Sequence, residues 1–341
     1  MVEEVGFEQT GLQTGKRYSP RVEQFTATLK SFLFYKSAVA GLIIVLIYVG
    51  ITMVDIFDPA LFGIPAATYT YINTYAPQYA TTQQTYPSPF APGFSHGFIY
   101  WFGGTIYNYP LLPAMFASLK FDLGYSFLIV AIGATAGSIV GVTAGYLGRW
   151  ADELMMRITD IFFSIPFLII VIAFTVAFTA PLHSSLNAML LALIIVWWPI
   201  YARLTRSLAL TTKSLNYVEA ATAAGSSRIR NIFYHVFPNV LSPVFVQISL
   251  DLGSIILIFA TLSFLGVGGF FPNGTYTFPE LGGLISNGEV FMLSWSTNKI
   301  LGTAIIWWPI VIPGIFLLIF TVSINLFGDG LRDALDPKLR K

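Results

Sequence analysis

The residues able to do chemistry are few and scattered. His96, His183 and His235 stand far apart and share no metal-ligand spacing. Cysteine is absent, which excludes disulfides and thiolate metal sites. No carboxylate pair, histidine cluster or serine–base arrangement falls within the apolar stretches, which argues against a membrane-embedded enzyme. No phosphate-binding glycine loop is present, so the chain itself is not expected to bind ATP. The polar group that stands out is Asp251, inside the apolar stretch 239–268. Gln247 lies four residues before it and Ser254 three after, so the three share one helix face. Counted from Asn239, Asp251 sits ~18 Å along a helix, near the middle of a hydrocarbon core ~30 Å thick. An ionisable group at that depth faces a cavity or a partner. Asn273-Gly274-Thr275 is a glycosylation sequon, a triplet that also arises by chance.

The elements that must position these groups are membrane spans. Of 341 residues, 55% are hydrophobic and 10% charged, against about 25% charged in soluble domains. That composition excludes a soluble enzyme, a disordered chain and a nucleic-acid binder. A net charge of +1 gives no electrostatic reason for a polyanionic partner. Six stretches are long enough to cross as helices: 37–54, 123–145, 161–180, 186–202, 239–268 and 302–327. The first follows a charged segment and has no small-residue cleavage site, so it reads as a retained span rather than a signal peptide. The expected fold is an all-α, polytopic membrane protein with six transmembrane helices.

Basic residues set the expected orientation. Sixteen of the eighteen lysines and arginines fall in segments 1–36, 146–160, 203–238 and the tail 328–341. The alternate connections hold only Lys120 and Lys299. With six spans this places both termini in the cytoplasm. The expected organisation is a cytoplasmic segment 1–36, a first span, an external loop 55–122, a core 123–327 and a cytoplasmic tail. Residues 59–119 carry no Asp, Glu, Lys or Arg. That stretch reads either as a tolerated external insertion or as a docking or gating surface. Its polar–aromatic alternation at 68–71 suits a short strand or an interfacial layer.

Segment 203–238 is the most informative. Asn216 is placed to cap a helix, with Glu219 three residues on to complete a capping box. Ala220, Ala221, Ala223 and Ala224 favour helix. Gly225 suits the left-handed residue that ends one. Ser226 or Ser227 then caps a second helix running towards Pro238. The expectation is helix, glycine turn, helix on the cytoplasmic face, with a small-residue surface that another protein can approach closely.

This segment resembles the EAA loop of ATP-binding-cassette (ABC) importer permeases. Glu219-Ala220-Ala221 is followed by three residues, Gly225, nine residues and His235-Val236-Phe237-Pro238. His235 stands where the signature has Ile, and Phe237 where it has Leu. Gly145-Tyr146-Leu147-Gly148-Arg149-Trp150, Met156-Arg157-Ile158-Thr159-Asp160, Leu262-Ser263-Phe264-Leu265-Gly266 and the tail from Asn325 to Pro337 are similar to the C-type subunit of the dipeptide/oligopeptide/nickel branch. The resemblance covers about 120–341. Gly103-Gly104-Thr105 replaces that branch's charged glycine-rich stretch, and Phe259 stands where Glu is common.

The resemblance implies a type I importer permease of MetI-like fold. It implies a second homologous permease subunit, two ABC ATPase subunits carrying ATP and Mg, and an external substrate-binding protein. Glu219, Ala220, Ala221, Gly225, Arg228, His235 and Pro238 then form the ATPase-coupling segment. Rigid-body movement of its helix would alternate access to a central site. The substrates implied are di- or oligopeptides, with oligosaccharides or nickel as alternatives. Gln247, Asp251 and Ser254 become either pathway-lining residues or, for Asp251, a group at the interface between permease chains. A stand-alone secondary transporter would need several intramembrane ionisable groups, and essentially one is present.

Three smaller patterns complete the reading. Pro166, Pro199, Pro243, Pro309 and Pro313 lie in spans and suit packed kinks. Trp197-Trp198-Pro199-Ile200 recurs as Trp307-Trp308-Pro309-Ile310 and reads as interfacial anchoring, with chance the rival to a true repeat. Glu153 and Arg157 are spaced for an i,i+4 ion pair.

Overall fold

The computed structural model describes residues 31–57, 92–93, 98, 101–104, 110–267, 280–293 and 307–335. Most of the first segment, most of the uncharged stretch 59–119 and the sequon at Asn273 lie outside the described residues. The described chain is helical: α1 (Lys36–Phe57), α2 (Leu111–Leu147), α3 (Arg149–Ser164), α4 (Phe167–Leu182), α5 (Ser185–Lys213), α6 (Asn216–Ala223), α7 (Arg228–Phe264), α8 (Leu281–Leu293) and α9 (Trp308–Leu335). One isolated bridge, Gly104 to Pro110, is the only β pairing among the described residues.

Helices α1, α2, α5, α7 and α9 are each long and apolar enough to cross a membrane. A bent pair, α3 and α4, set at 95° to each other, is apolar enough only when taken together, so the described helices give five crossings, or six if this pair is one broken span. The span expected over 161–180 is therefore not one straight helix. Pro166 forces the residue before it out of helical backbone, and Ile165 is extended at φ −104°, ψ 134°. Helices α2 and α5 run past their expected spans at both ends. The added N-terminal turns of α2 are themselves apolar and pack Leu112, Met115, Phe116 and Leu119 against α7, α8 and α9.

Two arginines on α5 fasten α3. Arg203 reaches Asp160 at 2.7 Å, and both Arg206 nitrogens of its fork meet Asp152, Nη2 to Oδ2 at 2.6 Å. The bidentate pair is the stronger of the two because its geometry is fixed and it is less exposed. Glu153 and Arg157 do pair, at 3.7 Å, but both are well exposed and contribute little. The helix ends carrying Arg149, Lys213, Arg228 and Arg332 gather at one end of the bundle, the basic end.

The central contact is α2 against α5. In lipid no hydrophobic force drives helices together, so close packing and polar contacts must do it. Gly133, Gly137, Gly141 and Gly145 recur every fourth residue and put a bare stripe on α2. Trp197, Trp198, Tyr201, Ala202, Thr205 and Arg206 of α5 lie directly on it. A Cβ at Gly137 would strike the Trp198 carbonyl oxygen, and one at Gly141 the Ala202 carbonyl oxygen; at Gly145 it would lie 2.8 Å from the Arg206 carbonyl oxygen. A second pair, α1 on α9, uses Gly41 and Gly330 in the same way, against Ser323 and Ala38. Tyr48 stacks on Phe320 and donates its hydroxyl to the Phe316 carbonyl at 2.9 Å.

In each tryptophan pair one ring is buried, while Trp307 stays exposed and Trp198 half-buried. Trp197 and Trp308 are buried, and each donates its indole N–H within the chain, to Asp251 and to the Gly104 carbonyl respectively.

The glycine contact yields a stability test. Gly137→Ala should destabilise the folded chain by about 1–3 kcal/mol, the usual cost of overpacking. Gly314→Ala, where nothing lies within 4 Å, should change stability by no more than about 1 kcal/mol, and upward if at all. Thermal unfolding of the two variants in detergent checks both.

Candidate functional site

The segment 214–238 folds as a helix, a turn and the start of a long helix. Helix α6 begins at Asn216, but Leu215 occupies the capping position and no side chain caps it. The expected capping box between Asn216 and Glu219 does not form, because Asn216 is already inside the first turn. The C-terminal end follows expectation. Gly225 has φ +87°. Its N–H meets the Thr222 carbonyl at 3.0 Å, and the Ser226 N–H meets the Ala221 carbonyl at 3.0 Å, the two bonds of a Schellman motif. Of the two serines, Ser227 is the next cap, its hydroxyl accepting from the Arg230 N–H at 3.3 Å.

The second helix does not stop at Pro238. It continues as α7 into the membrane span, through a π-helical stretch Asn231–Val236. A proline inside an α-helix would clash with the carbonyl four residues back. The wider π turn just before Pro238 makes room, so one rod runs from Arg228 to Phe264.

Exposure sorts the predicted coupling residues. Glu219, Ala220, Gly225, Arg228 and Pro238 are exposed, while Ala221 and His235 are half-buried. His235 packs edge-on to Tyr217 at 6.4 Å between ring centroids. Val218 is buried beneath the helix. Around this small-residue face stand Ile229 and Tyr234, 71% and 75% exposed, with Tyr217 and Phe233 also exposed. Clustered apolar exposure of this kind marks a surface that another macromolecule covers.

The second predicted cluster is split by the fold. Asp251 is only 6% exposed. Its carboxylate accepts from the Trp197 indole at 3.2 Å and from the Gln247 amide at 2.7 Å. Both partners belong to this chain, and Trp197 lies on α5. Gln247 is half-buried and Ser254 exposed. Gln247 also borders a cleft of about 550 Å³ at the basic end, with Leu204, Pro243, Val246, Leu250 and Arg332.

Two polar centres escaped the sequence reading. At the basic end, Asn231 donates its side-chain amide to the Tyr146 hydroxyl at 3.0 Å and to the Thr222 hydroxyl at 2.9 Å. At the far end, Asp122 and Glu280 are both buried. Glu280 caps α8 with its own carboxylate, accepting from Gly282 at 3.0 Å and Gly283 at 2.7 Å. Asp122 Oδ2 takes the Leu281 N–H at 3.2 Å. Three free N–H groups of the helix start are thus satisfied by two carboxylates. A glycine every fourth residue was a readable signal for the α2–α5 contact. Asp122 and Glu280 are distant in sequence, and nothing local announces their meeting.

Comparison with known proteins places this geometry. Residues 133–341 match the family described as binding-protein-dependent transport system inner membrane component. The chain is 38% identical over 239 residues to the probable D,D-dipeptide transport system permease protein of Escherichia coli, covering 70% of this chain and 74% of that protein. It is 32% identical over 327 residues to the dipeptide transport system permease protein of Alkalihalophilus pseudofirmus, covering 94% of each. It is 30% identical over 241 residues to a glutathione transport system permease protein of Pectobacterium atrosepticum, covering 71% and 73%.

The Glu280 centre gives a pH prediction. Burial pushes the Glu280 carboxyl up to about 8. An acid raised in the folded state binds its proton more tightly there than in the unfolded chain. Its stabilising contribution is therefore full below the ordinary carboxyl range and is lost as pH rises through about 8. Thermal unfolding of the detergent-solubilised chain should fall by several degrees between mildly acidic and mildly alkaline pH. In Glu280→Gln, which cannot ionise, that slope should flatten.

Proposed function

We propose a working scheme from one premise: this chain belongs to the binding-protein-dependent transport system inner membrane components, the permease subunits of ABC importers. It is a multi-pass membrane protein and moves solute rather than hydrolysing ATP. Its basic end faces the cytoplasm, a reading that the distribution of lysine and arginine supports, so both termini are cytoplasmic and the long uncharged stretch is external. A second homologous permease completes the channel. Two ATPase subunits carrying ATP and Mg drive it, and an external binding protein delivers the substrate. Peptides are the substrate class, since the relatives are named for dipeptides and glutathione. Nothing favours oligosaccharides or nickel.

One observation carries the scheme. The Schellman-capped helix α6 turns Glu219, Ala220 and Gly225 outward, ringed by exposed Tyr217, Ile229 and Tyr234. A short rigid helix with a small-residue face suits docking in a cleft of one ATPase. Closure of the ATPases on ATP then displaces α6 as a body. Because α7 is one rod from Arg228 to Phe264, displacement at its cytoplasmic end is carried to the level of Gln247, Asp251 and Ser254. Gln247 and Ser254 line the pathway, and Asp251 stands behind them, fixing the Gln247 amide.

Two measurements test this. Glu219→Lys and Gly225→Val, the latter strained at a left-handed backbone, should lower the coupling of ATP hydrolysis to transport at least about tenfold. Copurifying ATPase with undiminished coupling would reject the docking role. Asp251→Ala should raise the KM for dipeptide uptake while leaving basal ATP hydrolysis intact. An unchanged KM and rate would remove the pathway assignment.

A further inference from the structure

Helix α6 is only loosely seated. A cleft of about 610 Å³ separates it from the end of α5, lined by Tyr146, Leu210, Lys213, Val218, Glu219 and Thr222. Beneath it, Val218 supplies the buried apolar contact. What bridges α6 to the rest is polar. Thr222, in its last turn, accepts from the Asn231 amide at 2.9 Å, and the same amide donates to the Tyr146 hydroxyl at 3.0 Å. Tyr146 sits at the end of the glycine stripe on α2, one residue past Gly145. Its backbone carbonyl accepts from Lys213 at 2.7 Å, and the Lys213 ammonium lies over its ring. Asn231 opens the π-helical turn of α7.

Four elements thus meet at one amide: α2 and α5 through Tyr146, α6 through Thr222, and α7 through Asn231 itself. Asn231 is fully buried, and its Oδ1 has no partner among the described residues. A buried amide is costly to leave unbonded, so Asn231 favours arrangements that keep both partners in reach. If α6 moved without α2, the amide could keep only one of its two bonds. π turns of this kind recur at functional sites.

We propose that Asn231 is the positioning residue that makes the coupling helix and the inner end of the α2–α5 pair move as one body. It touches neither substrate nor nucleotide and acts through Thr222 and Tyr146. This rests on the docking of α6 to an ATPase. Docking delivers the displacement, and the Asn231 clasp decides whether the membrane helices receive it.

The chain has no cysteine, so introduced pairs can be spin-labelled without background. Labels at Leu147→Cys on α2 and Ala224→Cys beside α6 report the separation of the two bodies. The sample is the transporter assembled with its ATPases in lipid nanodiscs, without nucleotide and after trapping with ATP and vanadate. With Asn231 present, the separation should be the same in both states. With Asn231→Leu, similar in size but unable to donate, trapping should change it by several ångströms while the ATPases stay bound. Tyr146→Phe and Thr222→Val each remove one arm and should give a smaller change. These milder variants carry the test if Asn231→Leu does not assemble. A general loss of folding would lower the unfolding temperature without making the separation depend on nucleotide. A separation that already changes in the native chain, or that stays fixed in all three variants, overturns the proposal. ATPases that fail to copurify with the native chain would instead overturn the docking reading.

Discussion

The structure depends on the close approach of α2 and α5. Four glycines at every fourth residue let the α5 backbone lie on α2, with carbonyl oxygens of Trp198, Ala202 and Arg206 where side chains would otherwise stand. Between lipid-facing helices no hydrophobic gain rewards looser contact. Dispersion at short range and a few polar bonds must suffice, and both need the backbones near. The same contact places Trp197 on α5, from which its indole reaches Asp251 on α7. It also holds Tyr146 where Lys213 can bind its carbonyl. Filling the stripe would displace both.

Against this fixed pair, α7 is the element built to transmit. An ordinary reading of Pro238 would end a helix there. The π turn over Asn231–Val236 absorbs the proline and keeps the rod continuous from Arg228 to Phe264. A break at Pro238 would have isolated the coupling segment mechanically from the span. Continuity makes the cytoplasmic surface and the mid-membrane cluster parts of one lever. By contrast, the break at Ile165 and Pro166 is real and turns the chain by 95°. The difference lies in what surrounds each proline: one follows a widened turn, the other an extended residue.

What the residues disclosed unaided follows the range of each interaction. The apolar spans and the helix–glycine–helix layout rest on local composition and local backbone preference. Gly225 is left-handed and Ser227 caps, as their types suggest. The capping box at Asn216 failed because a helix start can shift by one residue with no change in pattern. Asp251 was visible as an anomaly, but not its partners, since Trp197 lies on another helix. Reading the tryptophan pairs as surface anchors missed the burial of Trp197 and Trp308 for the same reason. Asp122 with Glu280, and Asn231 with Tyr146, are encounters between distant segments that only the packing of α2 creates.

Three polar centres now line up along the bundle. Asn231 with Tyr146 and Thr222 lies at the basic end, Asp251 with Trp197 and Gln247 midway, and Asp122 with Glu280 at the far end. Each joins separate helices, and each includes a residue of α2 or α5. In a medium that offers no competing hydrogen bonds, such a centre has a steep dependence on geometry. Apolar faces can slide with little penalty, whereas a buried carboxylate or amide is either bonded or stranded. The glycine stripe therefore sets how near the helices come, and the polar centres set their register. A transporter needs both, because alternating access asks packed helices to move between two defined positions rather than along a continuum.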